Sequence, residues 1–321
     1  MPHSVYSKTQ AAISRLIHRE MYYSEFVGYV SQQLSDNVSN PHLKKFLYGQ
    51  GMRLLQKTAN KRLLKYFDGQ RFDLKGVFLP DMRSNDLLFA GLSYTYNDIF
   101  NVHCEKSGDY SYKIVDPLDR RFPEGTYFYI GPNNEKIVLK PGDIVIDAGA
   151  WIGDFSALAA HLVGKMGKVY AFEPSQQVMR WLKITASYYP NLIPIAYGLG
   201  NVNQKLVYHD DVGGVGKFVD SDENGDSTME IMRLDDWVSE NQIPRIDFIK
   251  ADIEGFERKL LMGAKRVLSE FGPILSICTY HLPDDPKVLK EMILEINPNY
   301  KIIQRRNKLF AFIPRTDFRN Q

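Results

Sequence analysis

Cysteine is nearly absent from the 321 residues. Cys104 and Cys278 stand alone and far apart, which excludes a disulfide framework and points to a reducing compartment. No apolar run reaches the roughly 18 residues that a membrane-spanning helix needs. The opening stretch, MPHSVYSKTQAAISRLIHRE, has no apolar h-region and does not read as a secretory leader. Excess charge is missing too: a net charge of +2 gives no electrostatic case for a nucleic-acid partner. No internal repeat is visible. Composition is that of an ordinary globular chain, 44% apolar and 24% charged. The expectation is a soluble cytoplasmic protein of one large domain or two.

The chain reads in three parts. Residues 1–69 are expected to form a helical N-terminal extension, because Leu43, Phe46, Leu47, Leu54, Leu55, Leu63, Leu64 and Phe67 recur at helical spacing. Asp68 and Gly69 end the pattern. Seven basic residues and no acid lie between Lys44 and Lys65. That face is either a solvated helix surface or a contact for an acidic glycan, a nucleotide sugar or a peripheral lipid surface. Residues 70–140 read as a mixed strand and loop connector, dense in aromatics, with Tyr127, Tyr129 and Ile130 facing Lys136 to Leu139 as a hairpin.

From residue 141 to 321, short apolar strands alternate with amphipathic helices. The expected fold is α/β: a Rossmann-like, doubly wound, mostly parallel sheet whose ligands sit at the carboxyl ends of the strands. An insertion, residues 201–240, interrupts it with a Gly-rich acidic loop that reads as a surface loop or lid. Within it DSDENG resembles the start of a calcium loop. The twelfth position is Ile231 where a Glu is required, and calcium is not expected.

The ligand is argued from VIDAGAWIGDFS, residues 145–156. No Lys-Ser or Lys-Thr follows Gly149, so this is not a P-loop. A dinucleotide needs close backbone approach to a pyrophosphate, and Trp151 and Ile152 occupy that place. Asp154 adds a charge at the helix N-terminus that would repel a pyrophosphate. S-adenosylmethionine has no phosphate. Asp147 at the strand end suits its cationic end, and Gly149, Ala150, Trp151 and Gly153 form a turn for its amino-acid portion. The next strand ends in Glu173, whose two oxygens match two ribose hydroxyls. Ser156 and Tyr197 complete the expected cofactor set.

DIVIDAGAWIGDFSALAA, VYAFEPS, LDDW and FIKADIEGFERKLLMGA resemble the FkbM family of S-adenosylmethionine-dependent methyltransferases over about residues 141–314. The block Lys250 to Gly255 is the most specific part. The family pattern often has Asn at the position of Trp151, and this chain departs there. The resemblance implies a class I methyltransferase fold and O-methylation of a hydroxylated metabolite, here a sugar, glycan or nucleotide-linked sugar.

Methyl transfer to a hydroxyl needs collinear positioning and a base. Asp252, at the end of the fourth strand, is a candidate base, cation ligand or clamp on the sulfonium side. Glu254 is either part of the site or an acid placed to favour the next helix. Lys250 shares a strand face with Asp252 and is either catalytic or a partner for a buried carboxylate. His281, after the fifth strand, is the second candidate base. Asp252, Glu254 and His281 are also the residues that could share Mg2+ or a similar ion. Arg233 and Asp235 read either as a salt-bridged cap of the insertion or as part of the acceptor wall, with the cap favoured. Two other classes are kept open: an NAD-dependent or nucleotide-sugar oxidoreductase on a similar sheet, and a non-catalytic adaptor docking through its basic N-terminal helices.

Overall fold

A computed structural model describes residues 64–74, 76–81, 127–130, 136–209, 217–218, 227–305 and 307–314. The helical face expected over residues 1–63, most of the 70–140 connector and the DSDENG segment lie outside these residues. The chain divides into two compact units, residues 1–75 with 81–125, and residues 76–80 with 126–321.

In the first unit a 3-10 turn, Leu64–Tyr66, precedes strand β1, Arg71–Leu74. Between them Asp68 Oδ1 accepts the backbone N–H groups of Gln70 and Arg71, both at 2.9 Å. Gly69 takes φ of 105°. This Asp-Gly turn is the stop the sequence implies, since Asp bonds its own backbone and Gly alone is at ease in that conformation.

In the second unit, β2 (Val77–Pro80) buries Val77 and Leu79. The short hairpin of β3 (Tyr129–Ile130) and β4 (Lys136–Ile137) pairs antiparallel where the sequence expects it. Then β5 (Ile144–Ala148) leads through a glycine turn to α1 (Asp154–Val163). The next pair is β6 (Lys168–Phe172) and α2 (Gln176–Ala186), whose first turn is capped by Ser175 accepting from Val178 N–H at 3.4 Å. Strand β7 (Leu192–Ile195) ends this half.

The run LIPIAYGLG reads as one strand but forms two. Its second piece, β8 (Gly198–Leu199), leaves the main sheet and joins the insertion. There β9 (Gln204–His209), β10 (Lys217–Phe218) and β11 (Ser227–Met232) make a small sheet in the order β10-β9-β11-β8. The insertion is a folded sheet over part of its length, and most of the acidic Gly-rich stretch read as a loop or lid lies outside the described residues. Helix α3 (Leu234–Glu240) returns the chain to the core.

Strand β12 (Phe248–Ala251) is followed by two short helices, α4 (Glu257–Gly263) and α5 (Lys265–Glu270), where the periodicity implies one. Gly263 explains why the first ends: a Cβ there would lie 1.9 Å from the Gly200 carbonyl oxygen, so backbone meets backbone at that point. Asp235 caps the second, accepting the N–H groups of Arg266 and Val267 at 3.0 Å each. With Arg233 3.7 Å from Asp235 and 3.3 Å from Asp236, this pair is the structural cap anticipated for it. Finally β13 (Ile274–Cys278), α6 (Asp285–Ile296), β14 (Lys301–Arg305) and β15 (Lys308–Phe312) close the unit.

The main sheet has seven strands in the order β14-β15-β13-β12-β5-β6-β7. The strands β5, β6, β7, β12 and β13 are parallel, and β15 runs antiparallel to both neighbours. Their apolar runs are buried on both faces, as a helix-covered sheet requires. Trp237 packs edge-on against Tyr170 and Phe172 on one face, with centroids 4.8 and 5.0 Å away. Phe155 stacks on Phe248 on the other. Burying each such ring contributes on the order of 2–3 kcal/mol. The fold is Rossmann-like and doubly wound. Its strand order reverses between β5 and β12, and that is where the site is built.

Candidate active site

The turn after β5 is shaped by three residues of positive φ: Gly149 at 75°, Trp151 at 48° and Gly153 at 85°. Gly149 cannot be replaced without moving the next loop, because a Cβ would lie 2.0 Å from the Asp252 carbonyl oxygen. At Gly153 a Cβ would lie 2.7 Å from Leu182. The N–H groups of Gly149 and Ala150 both reach the Phe172 carbonyl, at 3.0 and 2.9 Å, and Ala150 is buried. Thr185 Oγ1 donates to the Ile152 carbonyl at 2.6 Å. The turn is thus fixed from α2 and β6.

Glu173 closes the turn from the other side. Its Oε2 accepts Trp151 N–H and its Oε1 accepts Ser175 N–H, each at 2.9 Å. Each oxygen keeps a further lone pair, enough for two hydroxyl donors. Burial raises Glu173 to about 7, against the two backbone hydrogen bonds and the charge of Lys250. Small residues, a tight turn and a carboxylate with spare acceptors fit the methionine and ribose portions of S-adenosylmethionine. Tyr197 lies just past the end of β7, partly buried against the main core.

Asp147 and Ser156, expected in the cofactor set, bond to each other, and Asp147 pairs with Lys250. Both are wholly buried. Ser156 Oγ donates to Asp147 Oδ2 at 2.5 Å, and Lys250 Nζ lies 2.9 Å from Asp147 Oδ1. Lys250 also donates to the Gly149 carbonyl at 2.6 Å. Burial opposes the charge on Lys250, but the carboxylates of Asp147 and Asp252 outweigh it and hold the ammonium protonated. The two open readings of Lys250 therefore resolve structurally: it is a buried partner that ties β12 to the glycine turn.

The second half of the site gathers at the ends of β12 and β13. Asp252 accepts Tyr127 Oη–H at 2.7 Å through Oδ2 and Tyr280 Oη–H at 2.8 Å through Oδ1. Burial pushes Asp252 up, yet Lys250, the Tyr127 hydroxyl, Lys308 and the Tyr280 hydroxyl bring it down to about 2. A carboxyl held so low is a weak proton acceptor near neutral pH. Burial, and then the charge of Asp252, keep both phenols protonated.

His281 sits beside it, with Nε2 3.6 Å from Asp252 Oδ1 and 3.5 Å from Glu254 Oε2. Its Nδ1 lies 2.9 Å from Glu257 Oε1, which also accepts Ile253 N–H at 3.0 Å. Burial would lower the imidazole, but Glu257, Glu254 and Asp252 outweigh it and raise it. Glu254 is half-exposed at φ of 52°, an uncommon conformation for a side chain with a Cβ, and burial raises its carboxyl. It lies three positions before the first residue of α4, whose first-turn acid is Glu257.

Sequence reasoning reached Asp252, Glu254 and His281 but not Tyr127, Tyr280, Glu257 or Lys308. Tyr127 reads only as a strand residue, and nothing in the sequence singles out Glu257. Lys308 is buried in β15, its Nζ 4.1 Å from the Tyr127 ring centroid and 3.3 Å from Cys278 Sγ. Lys308 pairs with Cys278 across β13 and β15, a register that the sequence does not show. Burial pushes the Cys278 thiol up to about 12, so it is not a nucleophile here.

Residues 147–306 match the family model of the methyltransferase FkbM domain. The hexuronic acid methyltransferase AglP of Haloferax volcanii is 25% identical over 155 residues, which are 48% of this chain and 62% of that protein. The crystal structure of methyltransferase FkbM from Methylobacillus flagellatus is 21% identical, with a TM-score of 0.45 over 80% of this chain and 58% of that one. Fibrillarin of Aeropyrum pernix, solved with bound S-adenosylmethionine, is 14% identical, with a TM-score of 0.37 over 55% and 70%. The chain thus spans less than two thirds of the length of both AglP and the Methylobacillus protein. Among the described residues, no helix is long and apolar enough to cross a membrane.

Proposed function

The chain belongs to the FkbM family of S-adenosylmethionine-dependent methyltransferases, and on that premise we propose that it methylates a hydroxyl of a sugar, carried on a glycan or a nucleotide. The observation that carries this is the division of the sheet edge into two facing halves. One is a backbone turn closed by Glu173. The other is a polar cluster of Asp252, Tyr127, Tyr280 and His281. The relative named for hexuronic acid supports the sugar class.

S-adenosylmethionine supplies an electrophilic methyl group. Glu173 holds the ribose with its two remaining lone pairs, Gly149 and Trp151 line the amino-acid portion, and Tyr197 stands at the far strand end. Asp252 is the ionised acceptor that orients a hydroxyl of the substrate. Its two tyrosines fix the carboxylate and offer further polar contacts of the kind that sugar hydroxyls use. The acceptor proton passes to Glu254 or His281, which stand beside Asp252. Positioning is the main contribution, since the transfer requires oxygen, methyl and sulfur in line. The site is proposed to work without nucleic acid as a partner.

The test has two steps. Isothermal titration with S-adenosylhomocysteine on wild type and Glu173→Ala checks the cofactor half. Methyl transfer from labelled S-adenosylmethionine to a panel of uronic acids, neutral sugars and nucleotide sugars then checks the acceptor. Cofactor binding with no transfer to any sugar, but with transfer to an amine or a nucleobase, would remove the sugar assignment.

A further inference from the structure

We propose that Asp252, Glu254 and His281 hold a divalent first-row transition ion, of the manganese, iron, cobalt or zinc type rather than magnesium. One donor atom from each lies within 4.8 Å of the others. The decisive residue is His281. Its side chain is only 8% exposed, and Nε2 has no hydrogen-bond partner among the described residues. Yet that nitrogen points between two carboxylates, 3.6 Å from Asp252 Oδ1 and 3.5 Å from Glu254 Oε2.

Those separations are too long for hydrogen bonds, which bring nitrogen and oxygen to about 2.7–3.2 Å. They suit a shared ion. Two donors each about 2.1 Å from one metal, at an angle near tetrahedral or somewhat wider, stand roughly 3.4–3.6 Å apart. Asp252 and Glu254 are the wider pair. Half-exposed Glu254 is free to draw in by a side-chain rotation.

The other face of the imidazole is prepared for this. Nδ1 lies 2.9 Å from Glu257 Oε1 and Glu257 is wholly buried. Nδ1, like Nε2, makes no well-formed hydrogen bond among the described residues; a carboxylate this close is placed to accept Nδ1–H once an ion fixes the ring, the usual arrangement behind a metal-binding imidazole. Charge agrees. Asp252, Glu254 and Glu257 bring three negative groups to one ring, Lys250 is matched by Asp147, and Lys308 offsets one of the three. A dication neutralises the remaining two.

The donor set decides the class. Magnesium prefers oxygen ligands and retains water, whereas an imidazole nitrogen favours zinc, iron and their neighbours, with manganese at home among the carboxylates. Three protein ligands leave positions open for water or a substrate oxygen. If the methyltransferase reading holds, that oxygen is the acceptor hydroxyl, which the ion would acidify. The site itself does not depend on that reading.

The experiment uses the full chain, stripped with a chelator. It is titrated with manganese(II) by calorimetry and electron paramagnetic resonance, with S-adenosylhomocysteine binding measured in parallel. One manganese per chain is expected, at micromolar affinity. His281→Ala and Glu254→Gln should weaken it by at least 100-fold while S-adenosylhomocysteine binding stays. Glu257→Gln should weaken it roughly 10–100-fold. Three results overturn the proposal: a wild type that binds S-adenosylhomocysteine but neither manganese nor zinc, variants that bind manganese like wild type, or magnesium bound as tightly as manganese. Manganese binding that depends on His281 in a chain that ignores S-adenosylhomocysteine would uphold the ion site and overturn the methyl-transfer reading instead.

Discussion

Glu173 Oε2 accepts the backbone N–H of Trp151 at 2.9 Å, so the acid that ends β6 and the turn that ends β5 form a single hydrogen-bonded unit. Whatever alters the ionisation of Glu173 also alters the turn.

That coupling makes binding and stability respond to pH in opposite directions. Glu173 is raised from 4.5 to about 7 by burial. Between those values the folded chain holds a proton that the unfolded chain has lost. Stability therefore falls as pH rises through that window, by on the order of 3 kcal/mol if this group acted alone, and levels off above about 7. The ionised form is the better acceptor for two hydroxyls. S-adenosylhomocysteine should accordingly bind most tightly above about pH 7 and weaken below it. Calorimetry across that range checks the slope, and a flat profile would show that Glu173 does not hold the ribose. Glu173→Ala should lose roughly 10–100-fold in affinity at pH 8.

Lys250 and Asp147 make a buried ion pair at 2.9 Å. Lys250→Met leaves an uncompensated carboxylate in the core and should cost about 3–5 kcal/mol in urea unfolding. Adding Asp147→Asn should recover a large part of the loss. If the double variant is as unstable as the sum of the singles, the pair is not the reason for the cost.

Trp151 takes φ of 48°, a region that Asn tolerates and β-branched residues resist. Trp151→Asn should be more stable than Trp151→Val by about 1–2 kcal/mol, read from thermal unfolding. Equal stabilities would mean that packing of the indole, and not the backbone, governs the position.

Tyr127 and Tyr280 each donate to Asp252, at 2.7 and 2.8 Å. Tyr127→Phe and Tyr280→Phe should leave S-adenosylhomocysteine binding unchanged and reduce methyl transfer roughly tenfold, the cost of about one hydrogen bond to a charged group. Loss of cofactor binding in either variant would place the tyrosines in the wrong half of the site.

Much of the fold was legible because strands such as IVIDA and ILSIC are continuous apolar runs, a pattern that periodicity separates well from their helices. The acids at the strand ends were legible for the same reason, since they terminate those runs. The role of Asp147 was not. A strand-end acid that binds a ligand and one that neutralises a lysine on the neighbouring strand look alike until the register sets Lys250 opposite Asp147. Tyr127 and Lys308 were out of reach because they meet Asp252 and Cys278 only through long-range pairing, and neither sits in a motif. The split of LIPIAYGLG was hidden because the choice between two sheets is made by partners elsewhere in the chain. The left-handed turn, by contrast, was half visible: Gly149 and Gly153 announced it, while Trp151 shares the positive φ with no such signal in its side chain.

Asn203 and Arg233 bound the insertion and touch. The Asn203 carbonyl oxygen of the side chain accepts Arg233 N–H at 2.8 Å, and its Nδ2 donates to Asp236 at 3.0 Å. Entry and exit of the segment thus lie at one point, outside the hydrogen-bonding ladder of the seven-stranded sheet. Closing a chain between two ends already held together costs little more for a long segment than for a short one. A segment closed in this way can change in length at little cost to the sheet beneath it.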